Sequence, residues 1–260
     1  PTETLNKIVE KIESYGMILP LVTRTNFKTG LKIPTSSAKP VATWVNEGDG
    51  STKQSKSTGT LVFTHHKLRC AVSVSLEVEN MAWSAFEATL LSNITEAMAK
   101  AVESAIINGG GSTMPKGILT ETGAKVIGDI TYKNICAAEG KLPVEYEDNA
   151  VWVMSKNTFM NDIVGMVDTQ GQPVARVNYA LGGKPERFLL GRTVVLTNYL
   201  PEEGPSAFLF DFADYVLNTN FNIALKIYED NETDDIVRKS ILVCDGKVVD
   251  ASSLVVIAKA

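Results

Sequence analysis

The chain has 260 residues, enough for one large domain or two small ones, and 44% hydrophobic with 21% charged residues fits a folded, soluble protein. The net charge is −5 and no Lys/Arg block exceeds two neighbours, which argues against specific nucleic-acid binding. No apolar run reaches the ~18 residues of a membrane span and no signal-peptide pattern occurs, so no membrane partner is expected. Cys70, Cys136 and Cys244 lie far apart with no CxxC pair, the usage of reduced structural thiols. The sequence opens on Pro1 without Met, which reads as processing or trimming.

Leu5, Ile8, Val9, Ile12 and Tyr15 fall at helical spacing, so Thr4 to Tyr15 is expected as a short amphipathic helix stopped by Gly16. Asn26 to Pro40, with Gly30, Pro34 and Pro40, is expected to be extended, either as a free tail or lying on a neighbour. Val41 to Glu79 reads as a long β-arm. Its tip, Asn46 to Thr60, has the composition of a solvated loop. From Leu68 the apolar residues alternate: Leu68, Cys70, Val72, Val74, Leu76, Val78. Leu61 and Phe63 are out of phase with that row, so a bulge or sharp twist is expected near His65 to Lys67. As one strand, Thr60 to Val78 would span about 63 Å. A compact chain of this length is only about 47 Å across. The arm is therefore expected to overhang its own body, with another copy covering its apolar row.

The period then changes to helical. Phe86, Leu90, Ile94, Ala97, Ala101 and Ala105 form a stripe, widened by Leu91, Met98, Val102 and Ile106, which predicts a helix over Ala85 to Asn108. Ser84 and Glu87 have capping-box spacing, and Gly109 is placed to end the helix in a left-handed conformation. Helices are expected at Thr131 to Leu142 and Asn157 to Val167. Strands are expected at Ala150 to Met154, Phe188 to Leu196, Ala207 to Phe212, Tyr215 to Leu217, Phe221 to Tyr228, Ile236 to Val243 and Ser253 to Ala258.

Few residues suggest chemistry. Gly109 to Gly117 is rich in glycine, but it follows a helix and Lys116 precedes Gly117, so it does not form a phosphate loop. His65 and His66 are adjacent, point to opposite faces of a strand and cannot chelate one ion; no metal site or cofactor is expected. Glu229, Asp230, Glu232, Asp234 and Asp235 crowd one turn but miss the calcium-loop pattern. They read as a solvated turn or as intersubunit ion-pair partners of Arg238 and Lys239. Asp162, Asp168, Glu186 and Glu202 have no spacing that forces an acid/base pair. No catalytic residue is assigned, which favours a structural protein.

The order of elements resembles the major capsid proteins of tailed phages, the Hong Kong 97-type fold. Ala105-Ile-Ile-Asn-Gly-Gly-Gly followed by Pro115-Lys-Gly-Ile-Leu119 is similar to that family's spine-helix exit. Leu189-Leu-Gly-Arg-Thr-Val-Val195 resembles its L-x-G-x-P-V-V strand, and Phe208-Leu-Phe-Asp-Phe-Ala213 with Tyr215 resembles its G-D-F-x-x-Y segment. The resemblance runs over roughly residues 25–260.

It implies an α+β capsid fold with an N-terminal arm (1–40), an extended β-hairpin loop (41–78), a peripheral domain (79–116 and 221–248) carrying a spine helix at 85–108, and an axial domain (117–220 and 249–260). The implied function is a shell of pentamers and hexamers packaging double-stranded DNA, touched non-specifically. Portal, scaffold and maturation protease are implied partners. The assembly contacts would come from Trp44, Lys53, Lys56, Phe63, Leu68, Val72, Val74 and Leu76 of the arm, and from Asp230, Glu232, Asp234, Asp235, Arg238 and Lys239. Some members crosslink an arm lysine to a peripheral asparagine, assisted by an acid. Lys53 and Lys56 supply a donor and Asp245 could match the acid. Ile236 to Ser240 holds no asparagine, so no isopeptide crosslink is expected. The alternatives are a protein-cargo nanocompartment of the same fold and a soluble α/β enzyme or binding domain.

Overall fold

The alternation from Leu68 does form a strand, but the chain itself covers it. The computed structural model describes residues 17–27, 32–36, 44–47, 58–74, 83–178, 185–201, 204–229 and 235–259. The expected helix at Thr4 to Tyr15 lies outside them. Thr60 to Val78 is not one strand. Thr58–Val62 (β3) pairs antiparallel with Lys32–Ser36 (β2) as a separate two-stranded ribbon. His66–Val74 (β4) belongs to another sheet. The break at Phe63 to His65 is where the apolar phase changes, so the expected kink exists and is sharp enough to send β3 and β4 into different sheets.

The sheet that holds β4 has four strands, β1-β11-β12-β4: Thr23–Thr25 (β1), Tyr215–Glu229 (β11), Ile236–Val248 (β12) and β4. The strands expected at Tyr215 and Phe221 are one. An irregularity in register between Asn220 and Ala224 accounts for the apparent gap. The helix Trp83–Asn108 (α1) packs on this sheet. It begins one residue before Ser84, which is therefore inside the helix and not its cap. Ile94, Met98, Val102 and Ile106 form its buried centre, and of the expected stripe Leu90, Ile94 and Ala105 are buried while Ala97 is exposed. Leu68, Cys70 and Val72 pack against the same core and Val74 lies inside it. The part of the row from Leu68 to Val74 thus packs on the subunit's own core, and Leu76 and Val78 lie outside the described residues.

The second sheet has seven strands in the order β5-β13-β10-β6-β9-β8-β7. These are Ala124–Ile127 (β5), Val151–Met154 (β6), Ala175–Asn178 (β7), Glu186–Leu189 (β8), Arg192–Leu196 (β9), Pro205–Phe210 (β10) and Val255–Ala258 (β13). Its central strands are apolar on both faces. Val153, Phe208, Phe210 and Val256 join the core under α1. Trp152, Met154, Leu209, Val255 and Ile257 build a second core with Ile135 and Ala138 of the helix Tyr132–Glu139 (α2). Phe188 to Leu196 is a hairpin and not one strand. Leu190 and Gly191 turn it with φ of 48° and 86°. Two positive φ values define a turn usually written with Asn-Gly, and the leucine hides it from sequence reading. The helical stretch near Asn157 is a short α-turn, Lys156–Thr158, running into a π-helix, Phe159–Ile163.

Candidate assembly site

Three structural junctions decide how the extended segments leave the body. The first is the exit of α1. Gly109 is not left-handed; among the described glycines of this loop, Gly111 is. Gly109 is required for space instead. A Cβ there would lie 1.9 Å from the Pro115 carbonyl oxygen, and one on Gly117 would lie 2.4 Å from the Gly109 nitrogen. The two backbones meet through Gly117 N–H donating to Gly109 O at 2.8 Å. Lys116 N–H donates to Gly246 O at 2.9 Å, and Tyr215 Oη donates to Lys116 O at 3.0 Å. Burial first, then Asp245 and Cys244, pushes the Tyr215 phenol well above its ordinary range, keeping it a neutral donor.

The second junction holds the segment 17–27. Ile18, Leu19 and Val22 are buried in the core. Glu103 Oε1, on α1, accepts from Ile18 N–H at 2.8 Å and Leu19 N–H at 3.3 Å. At the other end Asn218 Oδ1 accepts from Phe27 N–H at 3.0 Å and Nδ2 donates to Phe27 O at 3.3 Å. The side-chain amide thus imitates a further strand pair after β1. The segment 17–27 is thus strapped to its own body, while of the stretch expected to be extended, Asn26 to Pro40, residues 32–36 do form a strand. Sequence reading missed both anchors. Glu103 leaves a trace, an acid beside Val102 on a buried helix face; Asn218 leaves none.

The third junction is the corner between β3 and β4. Thr64 N–H donates to Asp245 Oδ2 at 2.6 Å and Thr64 Oγ1 does so at 3.2 Å. Gly246 N–H donates to Asp245 Oδ1 at 2.8 Å, and His66 Nε2 lies 3.5 Å from that oxygen. Lys247 Nζ donates to Val62 O at 2.6 Å and stands 6.0 Å from the centre of the buried Phe63 ring. His66 thus faces Asp245 at this corner, and Cys244 precedes Asp245 on β12. Burial, then Asp245, pushes the Cys244 thiol up to about 12, so it is protonated and inert.

The residues singled out from sequence divide sharply. Leu68, Val72 and Val74 face their own core, and Phe63 is buried at the β3–β4 corner. Trp44 is fully exposed, at 104%. Lys53, Lys56, Leu76, Asp230, Glu232 and Asp234 lie outside the described residues. Asp235 and Lys239 are half-buried. Arg238 is 4% exposed within the subunit, opposite Ile227 and Val72 in the sheet, a position that does not suit the intersubunit ion pair expected of it. Asp162 pairs with Lys259, and Asp168 accepts from the Gln170 and Gln172 amides, so both carboxylates have structural work. Among the described residues, no three metal-ligating side chains converge and no helix is long and apolar enough to cross a membrane.

A scan against family models matches residues 1–259 to the phage capsid family. The chain belongs to that family. As a phage capsid protein it is a structural component of a virion shell and not an enzyme. Solved structures agree in fold. The capsid of an empty GTA particle, computed with C5 symmetry, superposes with a TM-score of 0.79 at 19% identity, covering 95% of this chain and 90% of that one. A Microbacterium phage Oxtober96 chain gives 0.71 at 11%, covering 94% and 90%. A Gordonia phage Cozz chain gives 0.67 at 14%, covering 94% and 86%. No curated protein matches the capsid chain.

Proposed function

We propose that this capsid protein assembles into pentamers and hexamers of an icosahedral shell around double-stranded DNA, using the β2–β3 ribbon as its reach to a neighbouring copy. The observation that carries this is the ribbon itself. Its two strands are hydrogen-bonded to each other and, among the described residues, to no other strand. Ile33 and Leu61 face each other across it and stay only half-buried. An isolated two-stranded ribbon is marginal in water and gains stability when another surface covers it. Trp44 and Val45, which lie between β2 and β3 in the chain, are both exposed and supply further apolar area.

The division into peripheral and axial domains is supported by the two sheets, with three shifts: β1, Tyr215 to Asn220 of β11, and β4 all join the four-stranded sheet. β4 pairs with β12, so it goes with α1 and the four-stranded sheet, and the reaching segment ends near Val62. The acidic segment that follows β11 in the chain, with Asp230, Glu232, Asp234 and Asp235, is proposed to pair with basic groups of a neighbour. Lys53 and Lys56 are proposed to remain uncrosslinked surface charges. Asp245 is already held by Thr64 and Gly246 and is shielded from solvent, which agrees with an acid that assists no crosslink. DNA contact is non-specific in this reading, and portal, scaffold and maturation protease are proposed as further partners.

Light scattering and negative-stain microscopy of the purified chain test the proposal. Closed particles containing nucleic acid are the expected result. Particles enclosing a protein cargo would favour the nanocompartment, and a compact monomer at high concentration would overturn assembly altogether.

A further inference from the structure

Only Phe63 to His65 separate β3 from β4, yet the two strands enter different sheets. A turn this short between diverging strands needs something to hold its angle. β12 provides it by running past the start of β4: its last pairing with β4 is Cys244 opposite His66, and Asp245, Gly246 and Lys247 continue beyond. Alternation sends Asp245 and Lys247 to the same side. Asp245 takes the Thr64 amide, Lys247 takes the Val62 carbonyl, and Phe63 between them is 2% exposed. Gripping one amide and one carbonyl on either side of a buried ring fixes both the position and the rotation of the ribbon root.

We propose that Asp245 and Lys247 are positioning residues for assembly, setting the direction in which the β2–β3 ribbon leaves the subunit. The inference rests on the reading that the ribbon engages a neighbouring copy. It goes further by making the aim of the ribbon a property of the isolated subunit, present before any partner arrives. The Asp245 side chain has no solvent exposure, so its carboxylate is tolerated only because both oxygens accept hydrogen bonds. The same tripeptide receives the α1 exit, through Gly246 O and Lys116 N–H. Ribbon and spine helix are therefore referenced to one point on β12. Contact order explains why sequence reading passes over it: Thr64 and Asp245 are 181 residues apart.

The test uses the full chain with Asp245→Asn and Lys247→Met. Asparagine retains the shape but turns one acceptor into a donor facing an N–H; methionine retains the stem over Phe63 and loses the donor. Residue-resolved hydrogen exchange on the unassembled subunit should show the Thr64 amide of Asp245→Asn exchanging at least ~10-fold faster, as expected for losing a hydrogen bond to a charged group. The Val237 to Val243 amides should stay unchanged. Microscopy should show lost or wrongly sized particles for both variants. A core variant, Val153→Ala, matched for lost stability, should assemble at normal diameter. Normal shells from both Asp245→Asn and Lys247→Met would overturn the proposal, as would misassembly of Val153→Ala to the same extent. Should Asp245→Asn fail to fold, Lys247→Met on the half-buried partner carries the test alone. Ile33→Ser with Leu61→Ser separates the layers. If that pair blocks assembly while the corner variants do not, only the aiming role falls. If it assembles normally, the ribbon reading falls and takes the aiming role with it.

Discussion

Replacing Gly109 by alanine places a methyl carbon 1.9 Å from the Pro115 carbonyl oxygen and 2.5 Å from that of Ala105. Both obstacles are backbone atoms, so no side-chain rotation relieves the overlap. The Pro115 carbonyl belongs to a segment fixed by Lys116 N–H on Gly246 and by Gly117 N–H on Gly109. Relief requires moving the α1 exit away from the loop, which breaks at least one of those bonds. Overpacking alone costs about 1–3 kcal/mol, and a lost buried hydrogen bond about 1–3 more. The expected loss is thus about 2–6 kcal/mol, a large fraction of a typical ~5–15 kcal/mol total. Gly110 is the internal control, because a Cβ there meets nothing within 4 Å. Gly110→Ala should be neutral or gain up to about 1 kcal/mol by restricting the unfolded chain. Urea unfolding of the unassembled subunit reads both, with a midpoint drop near or above ~1 M expected for Gly109→Ala. Equal behaviour of the two variants, or a Gly109→Ala loss below about 0.5 kcal/mol, would refute the requirement for close backbone approach.

Glu103→Ala should cost about 1.5–3 kcal/mol by stranding two amides, and hydrogen exchange should rise at Ile18 and Leu19 before anywhere on β12; unchanged exchange there would remove its role as anchor. Asn218→Ala should release the Phe27 amide with a loss near ~1 kcal/mol, read by the same exchange experiment; protection retained at Phe27 would show that β1 alone holds the segment. Alkali should weaken the fold. The Cys244 thiol is raised to about 12 in the folded state from an ordinary value of 9.0, so unfolded chains lose that proton first. Stability is then full below pH ~9 and falls by up to about 1.4 kcal/mol per unit above it, with Tyr215 acting in the same direction. Cys244→Ala should flatten the slope between about pH 9 and 11; an identical slope would assign the loss elsewhere.

Local rules carried much of the fold. The helical period of Leu90 to Ile106 and the strict alternation from Leu68 each found a real element. They failed where a long-range contact decided the outcome. Alternation marks a buried face but does not identify what buries it. Adding β3 and β4 into one strand gave an arm too long for the body, although three residues at Phe63 to His65 redirect the chain. Leu190 in a left-handed turn and the joined strand at Asn220 are further cases, since neither leaves the usual turn residues. The anchoring residues were least legible. Glu103, Asn218 and Asp245 act through backbone groups of distant segments, and backbone amides look alike in every sequence. The glycines of the α1 exit were visible as a pattern, but their cause is crowding and not left-handed backbone.

A reconstruction of assembled particles tests the central claim most directly. The β2–β3 ribbon, with Ile33 and Leu61, should lie on a neighbouring copy, while Leu68 to Val74 stays on the subunit's own α1. A ribbon folded back onto its own body within closed shells, or β4 exchanged onto a neighbour, would contradict the account.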